Sequence, residues 1–188
     1  CQVIEREVEL GSNLEDAIKK AHKEIKEHPN SGTAKNMGTT VVAVLIKEDN
    51  TFQAAWVGDS RIYQIKRDGW SEKMIQVSHD HTPVQDMVDA GLITAAQART
   101  HPNRNIITQA LGECRFEYPY VDTVMGILNE KEALLLCTDG LNGELEDQLI
   151  HDILGDVSST PEQICQELVD AALKSGAHDN VTVAVIVN

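Results

Sequence analysis

No apolar run among the 188 residues of this chain approaches the ~20 needed to cross a bilayer. With 41% hydrophobic residues, the chain reads instead as one soluble globular domain with a sizeable core. Basic residues are scarce: 16 Lys and Arg stand against 30 Asp and Glu, for a net charge of −14. That balance argues against a nucleic-acid backbone or an anionic membrane as partner. It also means that any carboxylates that cluster need cations. The four cysteines, Cys1, Cys114, Cys137 and Cys165, include no C-x-x-C pair. Neither a zinc site nor a disulfide framework is expected, and a reducing cytoplasm is the expected setting. Repeats, low-complexity tracts and an internal linker are missing too. So is an initiating methionine: the chain starts at Cys1 with no signal peptide ahead of it, and a fragment of a longer protein is expected.

Hydrophobic periodicity divides the chain into elements. "SNLEDAIKKAHKEIKEH" predicts a helix, with Ser12 and Glu15 as a capping box and Leu14, Ala17, Ile18, Ala21 and Ile25 on one face. After a polar loop over residues 29–38, "TTVVAVLI" and "TFQAAWV" predict a hairpin around "KEDN". "GDS" then turns into a third strand, "RIYQIKRDGW", so residues 40–70 read as a β-meander. "HTPVQDMVDAGLI" predicts a helix with Pro83 early and Gly91 as its stop. "TAAQART" predicts another, with Thr94 and Gln97 placed as a capping box. "HPNRN" is a loop, and "IITQALG" stays open between strand and helix. "ALLLC" is a buried strand, followed by a helix near residues 144–154. "STPEQICQELVDAALKSG" is a helix with Thr160 as cap, Pro161 at its first position and Gly176 as terminator. "DNVTVAVIV" closes the chain as a strand. The apolar runs at residues 41–46 and 181–187 require cover on both faces. Two antiparallel sheets with helices outside would supply it.

Three aspartates sit at the ends of these strands. Asp59 follows "AAWVG", Asp139 follows "ALLLCT", and Asp179 precedes "NVTVAVIV". Each is flanked by a small or turn-forming residue, Gly58, Gly140 or Asn180, so each alone reads as a turn or cap. Together they allow a second reading. Carboxylates on neighbouring strands can converge, and a convergent set that stays ionised needs a cation. Oxygen ligands favour Mg²⁺ or Mn²⁺, ions that serve phosphoryl chemistry, over zinc.

"NMGTTVVAVLI", "AAWVGDSRIYQI", "SHDHTP", "HPNRNIITQALG", "LLLCTDGL" and "HDNVTVAVI" occur in one order along the chain. That ordered set resembles the metal-dependent protein phosphatases of the type 2C (PPM) family, in its bacterial branch, from about Gly38 to the end. The resemblance implies an α+β fold: a four-layer α/β/β/α sandwich of two antiparallel sheets flanked by helices, here N-terminally incomplete. It implies hydrolysis of phosphoserine and phosphothreonine in proteins by water activated at a binuclear Mn²⁺ or Mg²⁺ centre, with no side-chain nucleophile. Asp139 and Asp179 then match ligands of one metal. Asp59 matches the ligand of a weaker third metal that Asp139 also serves. Residues 83–112 match a flap beside the active site, on which Arg104 is a candidate contact to substrate, or else a solvated charge. His79 and His81 match the "DH" motif leading into that flap, with a structural role expected rather than ligation. Cys137 is expected in the core. Phosphorylated proteins, a partner Ser/Thr kinase system and a signalling role in the cytoplasm follow from the same resemblance.

The match is not complete. The family's Asp-Gly-x-Gly-Gly motif, whose Asp bridges both metals, is not in these residues; the Asp-Gly pairs are Asp68-Gly69 and Asp139-Gly140. The upstream phosphate-binding arginine is also missing. An inactive, phosphatase-like binding or regulatory module is therefore the competing expectation. Unpaired sheet edges, and a homodimer formed through them, are expected as well.

Overall fold

The computed structural model describes residues 1–28, 37–69 and 71–188. Residues 29–36 of the expected loop, and Trp70 at the end of the expected third strand, lie outside the described residues. Two antiparallel sheets accompanied by helices make an α+β fold, as expected. The chain divides into two compact units.

The first unit comprises Cys1–Leu45, Gln53–Asp59 and Asp80–Met125. It opens with a helix absent from the sequence reading, α1 (Gln2–Glu9), followed by α2 (Leu14–Glu27). The cap of α2 is Asn13 rather than Ser12. Asn13 Oδ1 accepts the Asp16 N–H at 2.8 Å, while the Ser12 N–H closes α1 on the Glu7 carbonyl at 2.9 Å. Strands β1 (Val41–Ile46), β2 (Thr51–Val57) and β5 (Asp122–Ile127) form a sheet in the order β1-β2-β5. The hairpin around "KEDN", whose turn residues belong to the second unit, closes through the Lys47 N–H on the Thr51 carbonyl at 2.9 Å. Leu14, Ile18 and Ala21 of α2 bury themselves with Ala55, Val57, Leu111 and Val121. Helices α3 (Pro83–Asp89) and α4 (Ala95–Arg99) start at Thr82 and at the Thr94–Gln97 capping box. The "IITQALG" stretch is neither strand nor helix; Leu111 forms one isolated bridge with Thr39.

The second unit comprises Ile46–Phe52, Ser60–His79 and Gly126–Asn188. Its sheet takes β3 (Arg61–Asp68), β4 (Ser71–Gln76), β6 (Ala133–Cys137) and β7 (Val183–Val187) in the order β4-β3-β6-β7. Tyr63 faces Gln76 on one side and Leu135 on the other, and Leu135 faces Val185. Helices α5 (Asp139–Asn142), α6 (Asp147–Leu154) and α7 (Pro161–Ser175) complete the unit. Leu141, Ile150, Ile164 and Leu168 from these helices are buried with Tyr63, Ile65, Leu135 and Cys137.

Two expectations need correction. Residues 40–70 are not a meander, because β2 and β3 belong to different sheets. The "GDS" turn is a crossover, permitted by Gly58 at φ +109°. The strands β1 and β7 are not covered on both faces: each is the outer strand of its sheet, and their residues are half-buried or exposed. Val41, Ala43 and Leu45 pack on one core and Val183 and Val185 on the other, so each strand is covered on one face, while the residues that alternate with them stay half-buried or exposed.

One polar group is built into the second unit's interior. Glu132 is only 2% exposed, and its carboxylate accepts the Asn129 N–H at 2.9 Å, the Arg67 N–H at 3.2 Å and the Gln64 side-chain amide at 3.2 Å. Burial alone would raise its pKa; these donors outweigh it and hold the carboxyl below its ordinary value. A depressed carboxylate contributes stability that is present at neutral pH and lost as pH falls through the folded-state value. Glu132→Ala strands three donors and is expected to cost about 3 kcal/mol in urea unfolding at pH 7. The deficit should shrink in acid; a pH-independent one would assign the loss to packing.

Candidate metal centre

The end of β6 is fastened to the segment leading into β7. Thr138 N–H donates to the Thr182 carbonyl at 3.1 Å. Its hydroxyl donates to the Asn180 carbonyl at 3.2 Å and accepts the Thr182 N–H at 3.0 Å. Asp139 is the next residue and begins α5, while Asp179 lies just before Asn180 on the facing segment. The two strands thus carry the two carboxylates to the same end of the sheet. Gly140 permits the approach: a Cβ there would lie 2.3 Å from the Asn180 carbonyl oxygen.

Burial, and then the negative charge of Asp179, push the Asp139 carboxyl above its ordinary pKa, against the pull of the Asp139 and Gly140 N–H groups. Among the described residues, no positive charge offsets this shift at Asp139. Two carboxylates beside open solvent suit a hard divalent cation that keeps several waters, the coordination habit of Mg²⁺. Asp179 is exposed and accepts the Asn180 N–H at 2.6 Å. Among the described residues, no group of three or more His, Cys, Asp or Glu is set to hold a metal.

The other candidate residues fall into place singly. Asp59 follows Gly58 at the end of the first unit's β2 segment. His81 is 8% exposed and both ring nitrogens are engaged: Nδ1 by the Gly58 N–H at 3.2 Å, Nε2 by Asp122 Oδ2 at 3.0 Å. Its ring is thus held inside the fold, whereas His79 is exposed. Arg104 is exposed in the turn after α4, its N–H bonded to the His101 carbonyl at 3.0 Å. Cys137 is 2% exposed within the second unit's core.

The Protein phosphatase 2C family profile matches residues 2–87 and 113–181. The chain belongs to the protein phosphatase 2C family. A putative protein phosphatase 2C-type of Streptococcus pyogenes is 35% identical over 175 residues, covering 93% of this chain and 68% of that protein. The crystal structure of the serine/threonine phosphatase Stp1 from Staphylococcus aureus aligns with a TM-score of 0.85 at 30% identity, covering 100% of this chain and 76% of that one. A crystal structure of the PstP catalytic domain in complex with two manganese ions aligns at 0.77 and 28% identity, covering 100% and 80%. The stretch between the two matched segments of this phosphatase 2C chain, residues 88–112, lies within the expected flap.

Two features of this phosphatase 2C chain were not found from sequence. One is the grip of His81 on Gly58. The other is Glu144, which accepts from the His178 N–H at 3.3 Å and pairs with its Nδ1 at 2.8 Å, steadying the residue before Asp179. Only the "HD" and "DH" dipeptides hinted at either. Gly140→Ala drives a methyl into the Asn180 carbonyl, so α5 must shift away. The expected loss is about 2 kcal/mol by urea unfolding, together with loss of any Mn²⁺-induced rise in melting temperature. A variant that keeps both would show that the close approach is not needed.

Proposed function

We propose that this chain carries phosphatase 2C chemistry: hydrolysis of phosphoserine and phosphothreonine in proteins, with Mn²⁺ or Mg²⁺ held by Asp139 and Asp179. The observation that carries the reading is the Asp139–Asp179 pair itself, two carboxylates forced together by a sheet and a glycine, with Asp139 pushed up by burial and by its neighbour's charge. A divalent cation there would offset that repulsion, draw charge from a phosphoryl group and make a water more acidic. The chain's own part is to hold the carboxylates still. Thr138 fastens the strand end, Glu144 steadies His178, and no side-chain nucleophile is required, consistent with a buried Cys137. Asp59 is assigned a further cation, and Arg104, on the flap of residues 83–112, a contact to the phosphoprotein. Substrates phosphorylated by a Ser/Thr kinase system in the cytoplasm complete the proposal.

A phosphatase-like binding module is the second reading. Hydrolysis of a phosphothreonine peptide by this chain, with Mn²⁺ and then with EDTA, separates the two. Metal-dependent turnover lost in Asp139→Asn is expected. Saturating Mn²⁺, at about 100 times its Kd, should stabilise the chain by roughly 2.7 kcal/mol. Asp139→Asn should erase that gain while leaving the metal-free chain equally or slightly more stable, since the charge it removes is repelled by Asp179. No turnover with intact Mn²⁺ stabilisation would favour the binding module; no stabilisation either would sink the metal assignment. A homodimer through the outer edges of β1 and β7 belongs to the same proposal. Sedimentation at micromolar concentration that finds only monomer would remove it.

A further inference from the structure

We propose that His81 is a positioning residue, one that fixes the Gly58 turn presenting Asp59, and that Asp122 selects the tautomer this requires. The inference rests on the reading of Asp59 as a cation ligand.

One residue holds both peptide groups that flank the Gly58 Cα. The Gly58 N–H donates to His81 Nδ1 at 3.2 Å, and the Gly58 carbonyl, half of the peptide bond into Asp59, accepts the His81 N–H at 3.0 Å. No residue with a side chain fits at Gly58: its φ of +109° suits glycine, and a Cβ there would lie 2.3 Å from Thr40 Cγ2, so the turn's hold must come from its neighbours. His81 is itself anchored, its carbonyl accepting the Thr108 N–H at 2.8 Å. Its ring lies tilted against Tyr120, with centroids 6.3 Å apart. All of these residues belong to the first unit.

The direction of the bonds fixes the proton. A ring nitrogen that accepts from an amide N–H carries no proton, so the neutral ring must be protonated at Nε2. Nε2 faces Asp122 Oδ2 at 3.0 Å, and an ionised carboxylate only accepts. The other tautomer would set Nδ1–H against the Gly58 N–H and a lone pair against the carboxylate. Asp122 thus acts on Asp59 through two hydrogen bonds and a peptide, the arrangement by which outer groups orient a metal ligand. A ring kept only for packing would need its size but not its tautomer.

The test uses the 188-residue chain, Mn²⁺ titration followed by the magnetic resonance signal of the free ion, and the ¹⁵N shifts of the His81 ring. The ring should show a bare Nδ1 and a protonated Nε2. Asp59→Asn should weaken one class of Mn²⁺ site. His81→Leu should weaken the same class by about 10- to 100-fold. His81→Asn, whose Oδ1 can accept the Gly58 N–H, should recover most of that loss. Asp122→Asn, which admits both tautomers, should mix the ring shifts and weaken the class by a smaller factor. If His81→Leu does not fold, Asp122→Asn and the ring shifts decide. A protonated Nδ1, or a Mn²⁺ isotherm moved by Asp59→Asn but by neither His81→Leu nor Asp122→Asn, overturns the positioning role alone. An isotherm unmoved by Asp59→Asn overturns the Asp59 reading, and the inference with it.

Discussion

The candidate centre depends on the contact between Gly140 and the Asn180 carbonyl. No residue with a side chain can bring a helix start that close to a facing backbone, 2.3 Å from where its Cβ would stand. Everything else about the pair follows from that proximity. The Thr138 bonds to Asn180 and Thr182 keep the strand ends from splaying. The buried core of Leu135, Cys137, Leu141 and Leu168 holds the platform under them. Like charges do not approach by themselves, so backbone bonding and apolar burial must supply the work that brings Asp139 to Asp179. A cation can then return part of it.

The turn at Asp59 and the turn at Asp179 solve a similar mechanical problem with the same parts. Each is preceded by backbone that only an unusual conformation allows: Gly58 at φ +109° in one, Gly176 at φ +129° and Ala177 at φ +42° in the other. Each has a histidine beside it whose ring nitrogen meets a carboxylate, Asp122 for His81 and Glu144 for His178. The two differ in solvation. His81 is buried and its bonds are sheltered from water, while His178 is exposed, so its bond to Glu144 competes with solvent. The first turn is the more rigid mount.

How much of this the sequence disclosed depended on how local each signal was. The starts of α4 and α7 were legible because Thr94 and Thr160 lie three residues from the N–H groups they cap, and that of α3 because Pro83 suits a first helical position. Helix α1 was missed: Ile4 and Val8 make one i, i+4 step, too short to establish a period. Strand β5 was missed because Met125 and Ile127 are apolar yet 59% and 53% exposed, which erases the alternation expected of a half-buried strand. The crossover at Gly58 could not be told from a hairpin, since both use the same turn residues. Asp139 and Asp179 were legible by residue type and by their place at strand ends. The grip on Gly58 was not, because it joins a side chain to a backbone N–H 23 residues away, and every residue but proline has such a group.

Glu132 and Asp139 show why a buried carboxylate by itself identifies nothing. Both lose hydration on folding, and in both that loss favours the neutral acid. Around Glu132 the fold supplies three donors from Asn129, Arg67 and Gln64, and the carboxylate ends below its ordinary pKa. Its charge is already answered, so it serves as a structural clamp and has no use for an ion. Around Asp139, among the described residues, the N–H groups that favour its charged form are the local ones, burial and the charge of Asp179 oppose them, and it ends above. The difference between a clamp and a candidate cation site therefore lies in what the neighbours donate, not in burial. Along this acidic chain, that criterion separates one carboxylate that the protein has satisfied from one that it has left for something else to satisfy.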